Sequence, residues 1–446
     1  MIQISPSPAT RRAPLVALMT VAAIAIGSVF ATPLTASATP ATTPVPAGTP
    51  DVGLTYCAPA IVELGSAVDF DASDSEQTSG FTVTISEGSL PDGLTIRPVT
   101  GLAYRISGTA AKLGAFRYTM HFTNGIHSGD RTCAVDVVPV GSKVERIAGD
   151  DRYATGLAVA GRVDPDTAPL VYVASGENYP DALSAAAIAA QRGAPLILTP
   201  RSSIPESVYG AIYKYAPRDI VVVGGTNAVS TSVETLLRAI PSVSSITRIG
   251  GADRFEVSRN LITHPTFGAK PSAAVSVVTG NRFPDALSAT PPSGRDTIPV
   301  LLVNGDASSL TANEKSLLTT REVTSATLFG GEDTVSTGIA NDIKKIAATV
   351  NRIDGSDRFV TSANVAKSAY PGHIDTVYLA TGENFPDALS GGVLAAIEKA
   401  PILLTRRTCM ASEVADEVRA LTPKRIVLLG GQNVLDATLE NLPVCS

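Results

Sequence analysis

Short runs of Val, Ile and Leu alternate with longer stretches of mixed Ala and polar positions over roughly the last three hundred residues of the chain. In the first such stretch Leu170-Val-Tyr-Val-Ala174, Pro195-Leu-Ile-Leu-Thr199, Ile220-Val-Val-Val223 and Ser245–Ile249 have the signature of strands. Between them Asp151–Gly161, Asp181–Arg192, Pro205–Tyr215 and Thr231–Ala239 have that of helices, the second Ala-rich and stopped by Gly193. Apolar β-branched runs separated by helices predict a parallel sheet covered on both faces. Right-handed crossovers then bring every strand-to-helix loop to one edge of that sheet. Residues 53–140 follow a different period. Phe81–Ile85, Tyr104–Ser107, Phe116–Phe122 and Ala134–Val138 alternate over short distances, punctuated by Leu90-Pro-Asp-Gly-Leu94 and Gly108, which predicts a small β-sandwich.

The α/β pattern is written three times. Arg146-Ile-Ala-Gly-Asp-Asp-Arg-Tyr153 returns as Arg248-Ile-Gly-Gly-Ala-Asp-Arg-Phe255 and Arg352-Ile-Asp-Gly-Ser-Asp-Arg-Phe359. Gly176-Glu-Asn-Tyr-Pro-Asp-Ala-Leu-Ser184 returns as Gly280-Asn-Arg-Phe-Pro-Asp-Ala-Leu-Ser288 and Gly382-Glu-Asn-Phe-Pro-Asp-Ala-Leu-Ser390. Fourteen residues after each Asp a Pro opens an apolar run, and Gly224-Gly225, Gly330-Gly331 and Gly430-Gly431 close the series. The copies are expected over residues 144–246, 247–350 and 351–446.

These landmarks fall on loops that follow strands, where open α/β sheets bind ligands. Gly-rich turns and helix N-termini there offer backbone N–H groups to anions. Arg152, Arg254 and Arg358 add permanently charged forks suited to phosphate or carboxylate. The candidate ligand set is therefore these arginines with Glu177, Asn178, Asp181, Gly224, Gly225, Asp285, Gly330, Gly331, Glu383, Asn384, Asp387, Gly430 and Gly431. Three such sites suit a repeating polymer through multivalency. A plainer account is open at each: the Asp after Pro is a helix-capping carboxylate, and Arg152 pairs with Asp181 inside its own copy. Copy two departs, with Asn281-Arg282 for Glu-Asn and Pro291-Pro292 expected to break its helix, so two outcomes stay open for it, ligand binding kept or lost with the structure retained.

The first residues carry a different message. Arg11 and Arg12, an apolar run from Leu15 to Phe30 and Ala36-Ser37-Ala38 predict a secretory signal peptide over residues 1–38. Residues 39–52, almost all Ala, Thr, Pro and Gly, form a tether, and no later stretch is long enough to span a bilayer. In an exported chain the four cysteines are expected as two disulfides, Cys57–Cys133 and Cys409–Cys445 in sequence order. Loops of that size are worth about 4 kcal/mol each. No cysteine has metal-ligand spacing, so neither metal nor cofactor is expected. Net charge is −6 without a basic block, which excludes nucleic-acid binding through a basic face, and the absence of Trp removes the commonest sugar-stacking ring.

Leu90-Pro-Asp-Gly-Leu94, Ile106-Ser-Gly-Thr109 and Gly114-Ala-Phe-Arg-Tyr118 resemble an immunoglobulin-like family of bacterial surface proteins, over residues 53–140. The three copies, above all Gly382-Glu-Asn-Phe-Pro-Asp-Ala-Leu-Ser390 with Pro401-Ile-Leu-Leu-Thr405, resemble the type 2 cell wall binding repeat of Gram-positive surfaces. That resemblance implies Rossmann- or Toprim-like modules packed as a pseudo-threefold trimer within a monomer. It also implies non-covalent attachment to an anionic wall polysaccharide or teichoic-acid-like polymer, leaving the β domain as a display module or an adhesin for a protein partner. Some members of the family are amidases. Here no H-E-x-x-H, G-x-S-x-G or Walker loop occurs, His121, His127, His264 and His373 share no repeated position, and no catalytic residue is expected.

Overall fold

The computed structural model describes residue 57 and residues 61–72, 82–99, 102–112, 114–123, 128–138, 143–164 and 169–445. The expected signal peptide, the tether and His127 lie outside the described residues.

The N-terminal part is all-β. β1 (Ile61–Glu63), β7 (Ser128–Val138), β6 (Gly114–Thr123) and β3 (Thr82–Gly88) form one sheet, and β2 (Ala67–Ala72), β5 (Leu102–Thr109) and β4 (Leu94–Val99) the other. Neighbours are antiparallel except β1 and β7. Both sheets contribute to one core, with Tyr104 and Ile106 facing Tyr118, Met120, Phe122 and Val135. Cys57 is bonded to Cys133 across this core.

Three α/β modules follow. The first runs β8 (Lys143–Ile147), α1 (Arg152–Ala160), β9 (Leu170–Ser175), α2 (Pro180–Gln191), β10 (Leu196–Thr199), α3 (Glu206–Tyr215), β11 (Asp219–Val223), α4 (Thr231–Arg238) and β12 (Ser245–Ile249). The second continues with α5 (Arg254–Thr263), β13 (Ala274–Thr279), α6 (Pro284–Arg295), β14 (Val300–Val303), α7 (Ala312–Thr320), β15 (Ser325–Phe329), α8 (Thr337–Lys344) and β16 (Thr349–Ile353). The third is α9 (Arg358–Ala369), β17 (Thr376–Thr381), α10 (Pro386–Ile397), β18 (Ile402–Thr405), α11 (Ser412–Leu421) and β19 (Arg425–Leu429). It ends in a 3-10 turn, Ala437–Asn441, near which Cys409 is bonded to Cys445.

Each module owns only three strands of its four-stranded parallel sheet. The sheets are ordered β10-β9-β11-β12, β14-β13-β15-β16 and β18-β17-β19-β8. The fourth strand is always the Arg-Ile strand that opens a copy, and the third sheet takes it from the first copy, in a register that sets Arg425 beside Lys143 and Leu429 beside Ile147. The arginine of that strand explains its recurrence: Arg248 donates to the Gly224 carbonyl at 3.0 Å, Arg352 to Gly330 at 2.6 Å and Arg146 to Gly430 at 2.8 Å. Each stitches the edge strand to the Gly-Gly loop beside it.

The helices α2 and α10 are largely apolar, α6 is built mostly of small residues, and all three are buried on nearly every side. They meet one another. At their N-terminal ends the rings of Tyr179, Phe283 and Phe385 form a closed edge-to-face trio with centroids 5.6–5.8 Å apart. Toward the other ends a Cβ on Gly294 would lie 2.8 Å from the Ala190 methyl and 2.9 Å from that of Ala396.

The expected break in copy two does not occur: α6 is continuous through Pro291 and Pro292. Two missing N–H donors and the ring clashes cost about 3 kcal/mol each in an exposed helix. Here the helix is enclosed by its two sisters and its own sheet, and Thr290 and Ser293 find partners in the Ala286 carbonyl at 2.9 Å and the Ser276 hydroxyl at 2.8 Å. Tertiary packing outweighs intrinsic propensity at this site. The small residue beyond it tests the packing. Gly294→Val must push the three helices apart, and we expect a loss of about 1–3 kcal/mol in urea unfolding; an unchanged midpoint would contradict the close approach.

Candidate ligand-binding clefts

In each module the outer strand order 2-1-3 puts a topological switch between the first and third strands, and the loops after both strands meet there. The loop after β9 carries Asp181 into the first turn of α2, and the loop after β11 carries Gly224 and Gly225. Gly224, Gly330 and Gly430 have φ of 103°, 100° and 114°. A Cβ on them would also lie 2.3, 2.4 and 2.5 Å from the Oδ2 atoms of Asp181, Asp285 and Asp387. Backbone and space both demand glycine, so that the carboxylate can seat against the loop. The second glycines are different. Nothing stands within 4 Å of a Cβ on Gly331, and Gly225 and Gly431 meet only a carbonyl at 3.8 and 3.7 Å. Each of these three lines an open cleft, so a side chain there would fill the cleft and disturb little else.

The three clefts lie at the junctions between copies. Asn178, Asp181, Gly225 and Arg254 line the first, of about 490 Å3; Arg282, Asp285, Gly331 and Arg358 the second, of about 450 Å3; and Arg152, Asn384, Asp387 and Gly431 the third, of about 140 Å3. The arginine that acts on each of these carboxylates, buried at Asp387 and partly buried at Asp181 and Asp285, comes from another copy: Arg254 on Asp181, Arg358 on Asp285 and Arg152 on Asp387. The expected pairing of Arg152 with Asp181 inside one copy is therefore replaced by pairing across junctions, because α1, α5 and α9 start beside the preceding module's sheet. Among the described residues none of these three pairs closes to a salt bridge, which leaves room between fork and carboxylate.

Each guanidinium is instead positioned by its own copy. Arg152, Arg254 and Arg358 donate from Nη1 to the carbonyls of Gly176, Gly280 and Gly382 at 2.7, 2.7 and 2.5 Å. They also lie over the rings of Phe385, Tyr179 and Phe283 at 5.8, 5.8 and 5.9 Å. The ring trio is thus part of the site, although the candidate set left it out; an aromatic at the same motif position in all three copies was the signal. Glu177 sits outside its cleft, where its carboxylate accepts from the Arg201 backbone N–H at 2.9 Å, and the exposed Glu383 does not line the third cleft. The N-termini of α1, α5 and α9 are not open to an anion, since Asp151, Asp253 and Asp357 already cap them.

Carboxylates outnumber guanidinia in every cleft. Burial pushes Asp181 and Asp387 up to about 6, against the partial opposition of Arg254 and Arg152, and raises Asp285 as well. Arg358 and the Thr334 hydroxyl oppose that rise at Asp285, as the Thr155 hydroxyl does at Asp387.

Known proteins share this architecture. A model of the family described as cell wall binding domain 2 (CWB2) matches residues 146–234, 248–340 and 352–440. The chain is 24% identical over 300 residues to N-acetylmuramoyl-L-alanine amidase LytC of Bacillus subtilis, a match that takes in 67% of the chain and 58% of that protein. It is 27% identical over 299 residues to the amidase enhancer of the same organism, covering 67% of the chain and 39% of the relative. The chain therefore spans about half the length of these relatives. Among solved structures, Cwp6 from Clostridium difficile aligns over 86% of this chain and 67% of its own with a TM-score of 0.62 and 21% identity. Cwp8 from the same organism aligns over 82% and 64% with a TM-score of 0.59 and 22% identity. At such identities the likeness is one of fold.

The raised carboxylates give a pH test. Their folded-state pKa lies above the ordinary value of 3.8, so between about pH 4 and 6 the folded chain holds protons that the unfolded chain has lost. Their contribution to stability falls as pH rises through that window. Asp181→Asn with Asp387→Asn should flatten the fall in urea-unfolding stability between pH 4.5 and 7.5. An identical pH profile in variant and parent would contradict the assigned burial.

Proposed function

The chain belongs to the cell wall binding domain 2 family, and from that premise we propose that it is an exported, non-catalytic surface protein held to the Gram-positive wall through its three junction clefts. The ligand in this reading is an anionic wall polysaccharide or teichoic-acid-like polymer, engaged by Arg152, Arg254 and Arg358 with Asp181, Asp285 and Asp387 beside them. One observation carries the reading: three clefts repeat one constellation of fork, buried carboxylate and unobstructed Gly-Gly floor, with nothing in the fold requiring the second glycine.

The modules act in this account as a pseudo-threefold trimer. The ring trio, the close approach at Gly294 and the loan of β8 to the third sheet support that arrangement. Three weak sites presented on one body would grip a repeating polymer far more firmly than one site. The signal peptide expected over residues 1–38 supports export, and the two disulfides suit an oxidising compartment. The seven-stranded, two-sheet region over 53–140 is then an immunoglobulin-like module that the anchor displays. A second role for it, as an adhesin toward a protein partner, is consistent with the same anchor.

Sedimentation of the full chain with purified Gram-positive walls tests the proposal. We expect co-sedimentation that disappears once the anionic polymers are extracted by acid, that weakens with salt, and that is abolished by combined Arg152→Gln, Arg254→Gln and Arg358→Gln in a chain that stays folded by circular dichroism. Attachment to extracted walls at full strength would discard the anionic ligand. Attachment to neither would discard the anchor.

A further inference from the structure

The junction between copies two and three differs chemically from the other two. Arg282 stands there in place of Asn178 and Asn384, and Asp333 in place of Asn227 and Asn433. Arg282 donates from Nη1 to the Asp333 carbonyl at 2.8 Å, and its ion pair with Asp306 is long, 3.7 Å, with both side chains 55% exposed. A guanidinium carries five N–H donors, so most of its capacity is left for another partner. Arg358 lines the same cleft with one donor committed to Gly382. Both guanidinia line this cleft together with the Asp285 carboxylate.

This departure is a rebuilt loop, and it is not a decayed one. In copy one Glu177 holds the backbone of Arg201, and Arg201 reaches the Asn227 side chain at 3.2 Å from outside the cleft. Copy two has Gly305 at the Arg201 position, where a Cβ would lie 1.8 Å from the Thr334 carbonyl oxygen. Asn281 secures the loop instead, through Asn304 and Asp306 at 2.7 Å, and Arg282 secures the rim. The guanidinium has moved from the outer side of the rim to the lining of the cleft. Copy two therefore presents guanidinium donors to its cleft where the other copies present Asn178 and Asn384.

We propose that the cleft between copies two and three is the charge-reading subsite, holding a phosphate or carboxylate group of a wall polymer between Arg282 and Arg358, while the clefts lined by Asn178 and Asn384 take uncharged, hydroxyl-bearing sugar units. The inference rests on the wall-binding reading above. The carboxylates limit the ligand. Asp357 is spent on the α9 backbone and Asp285 is held by Thr334, but Asp333 is exposed and accepts only from donors. An isolated anionic group flanked by hydroxyls fits this set better than closely spaced charges do.

The test compares the full chain with Arg282→Asn, the residue its sister copies carry, in wall sedimentation across a salt series. Poly(glycerol phosphate), polygalacturonate and dextran serve as soluble competitors. Arg282→Asn should melt at the parent temperature, bind walls about tenfold more weakly at low salt, and lose part of the salt dependence. Asn384→Ala should weaken binding by the same factor at every salt. Competition by the phosphate polymer alone, or by the uronate alone, assigns the anion; dextran alone, or neither anionic polymer, overturns the charged class. Equal binding and equal salt dependence of Arg282→Asn and parent overturns the subsite while leaving the anchor standing. Failure of the parent to bind walls overturns the anchor and this subsite with it.

Discussion

Each of the three sheets lacks an edge strand of its own, and the strand that completes it belongs to another copy. An unfilled fourth position would leave a row of unpaired backbone groups on an apolar parallel sheet, a template for aggregation. Pairing with the next copy's Arg-Ile strand covers that edge of β11 and β15, and β8 does the same for β19, so the outermost place falls to a short strand with polar residues. The same strand leads directly into the Asp-Arg loop. Completing a neighbour's sheet therefore delivers Arg152, Arg254 and Arg358 to carboxylates that sit on that neighbour. Fold closure and assembly of the clefts are one event.

The electrostatics of the clefts follow from what each charge is already doing. Asp151, Asp253 and Asp357 complement helix N-termini and are tied to backbone N–H groups. Asp181 and Asp387 are raised toward neutral pH by burial and lose their charge as pH falls through about 6. Protonation there removes negative charge beside Arg254 and Arg152, so these two acid-rich clefts move toward neutrality on acidification.

Much of this was legible in the sequence because it is local. Strand and helix positions in copy one fell within a residue or two of the observed ones, since apolar β-branched runs and Ala-rich stretches differ in period. The repeated landmarks gave the loops, and compartment logic gave the cysteine pairing that the structure has. The misses are long-range. Nothing in one copy tells that Arg254 serves Asp181 rather than its own Asp285, because that depends on which sheet receives β12. Pro291 and Pro292 break a helix by local rules, and only enclosure by α2 and α10 sustains it. Tyr179, Phe283 and Phe385 stayed outside the candidate set because their role depends on three helix ends that meet only in the fold. The strand arginines Arg146, Arg248 and Arg352 recur for stitching and not for ligand.

The central claim is that the junction clefts, and not the β region, carry the ligand. Amide hydrogen exchange of the full chain, with and without polymer released by acid from Gram-positive walls, tests it directly. The account predicts added protection in the Asp-Arg loops around residues 149–154, 251–256 and 355–360 and in the three Gly-Gly loops. Protection confined to residues 61–138, with the junction loops unchanged, would contradict it.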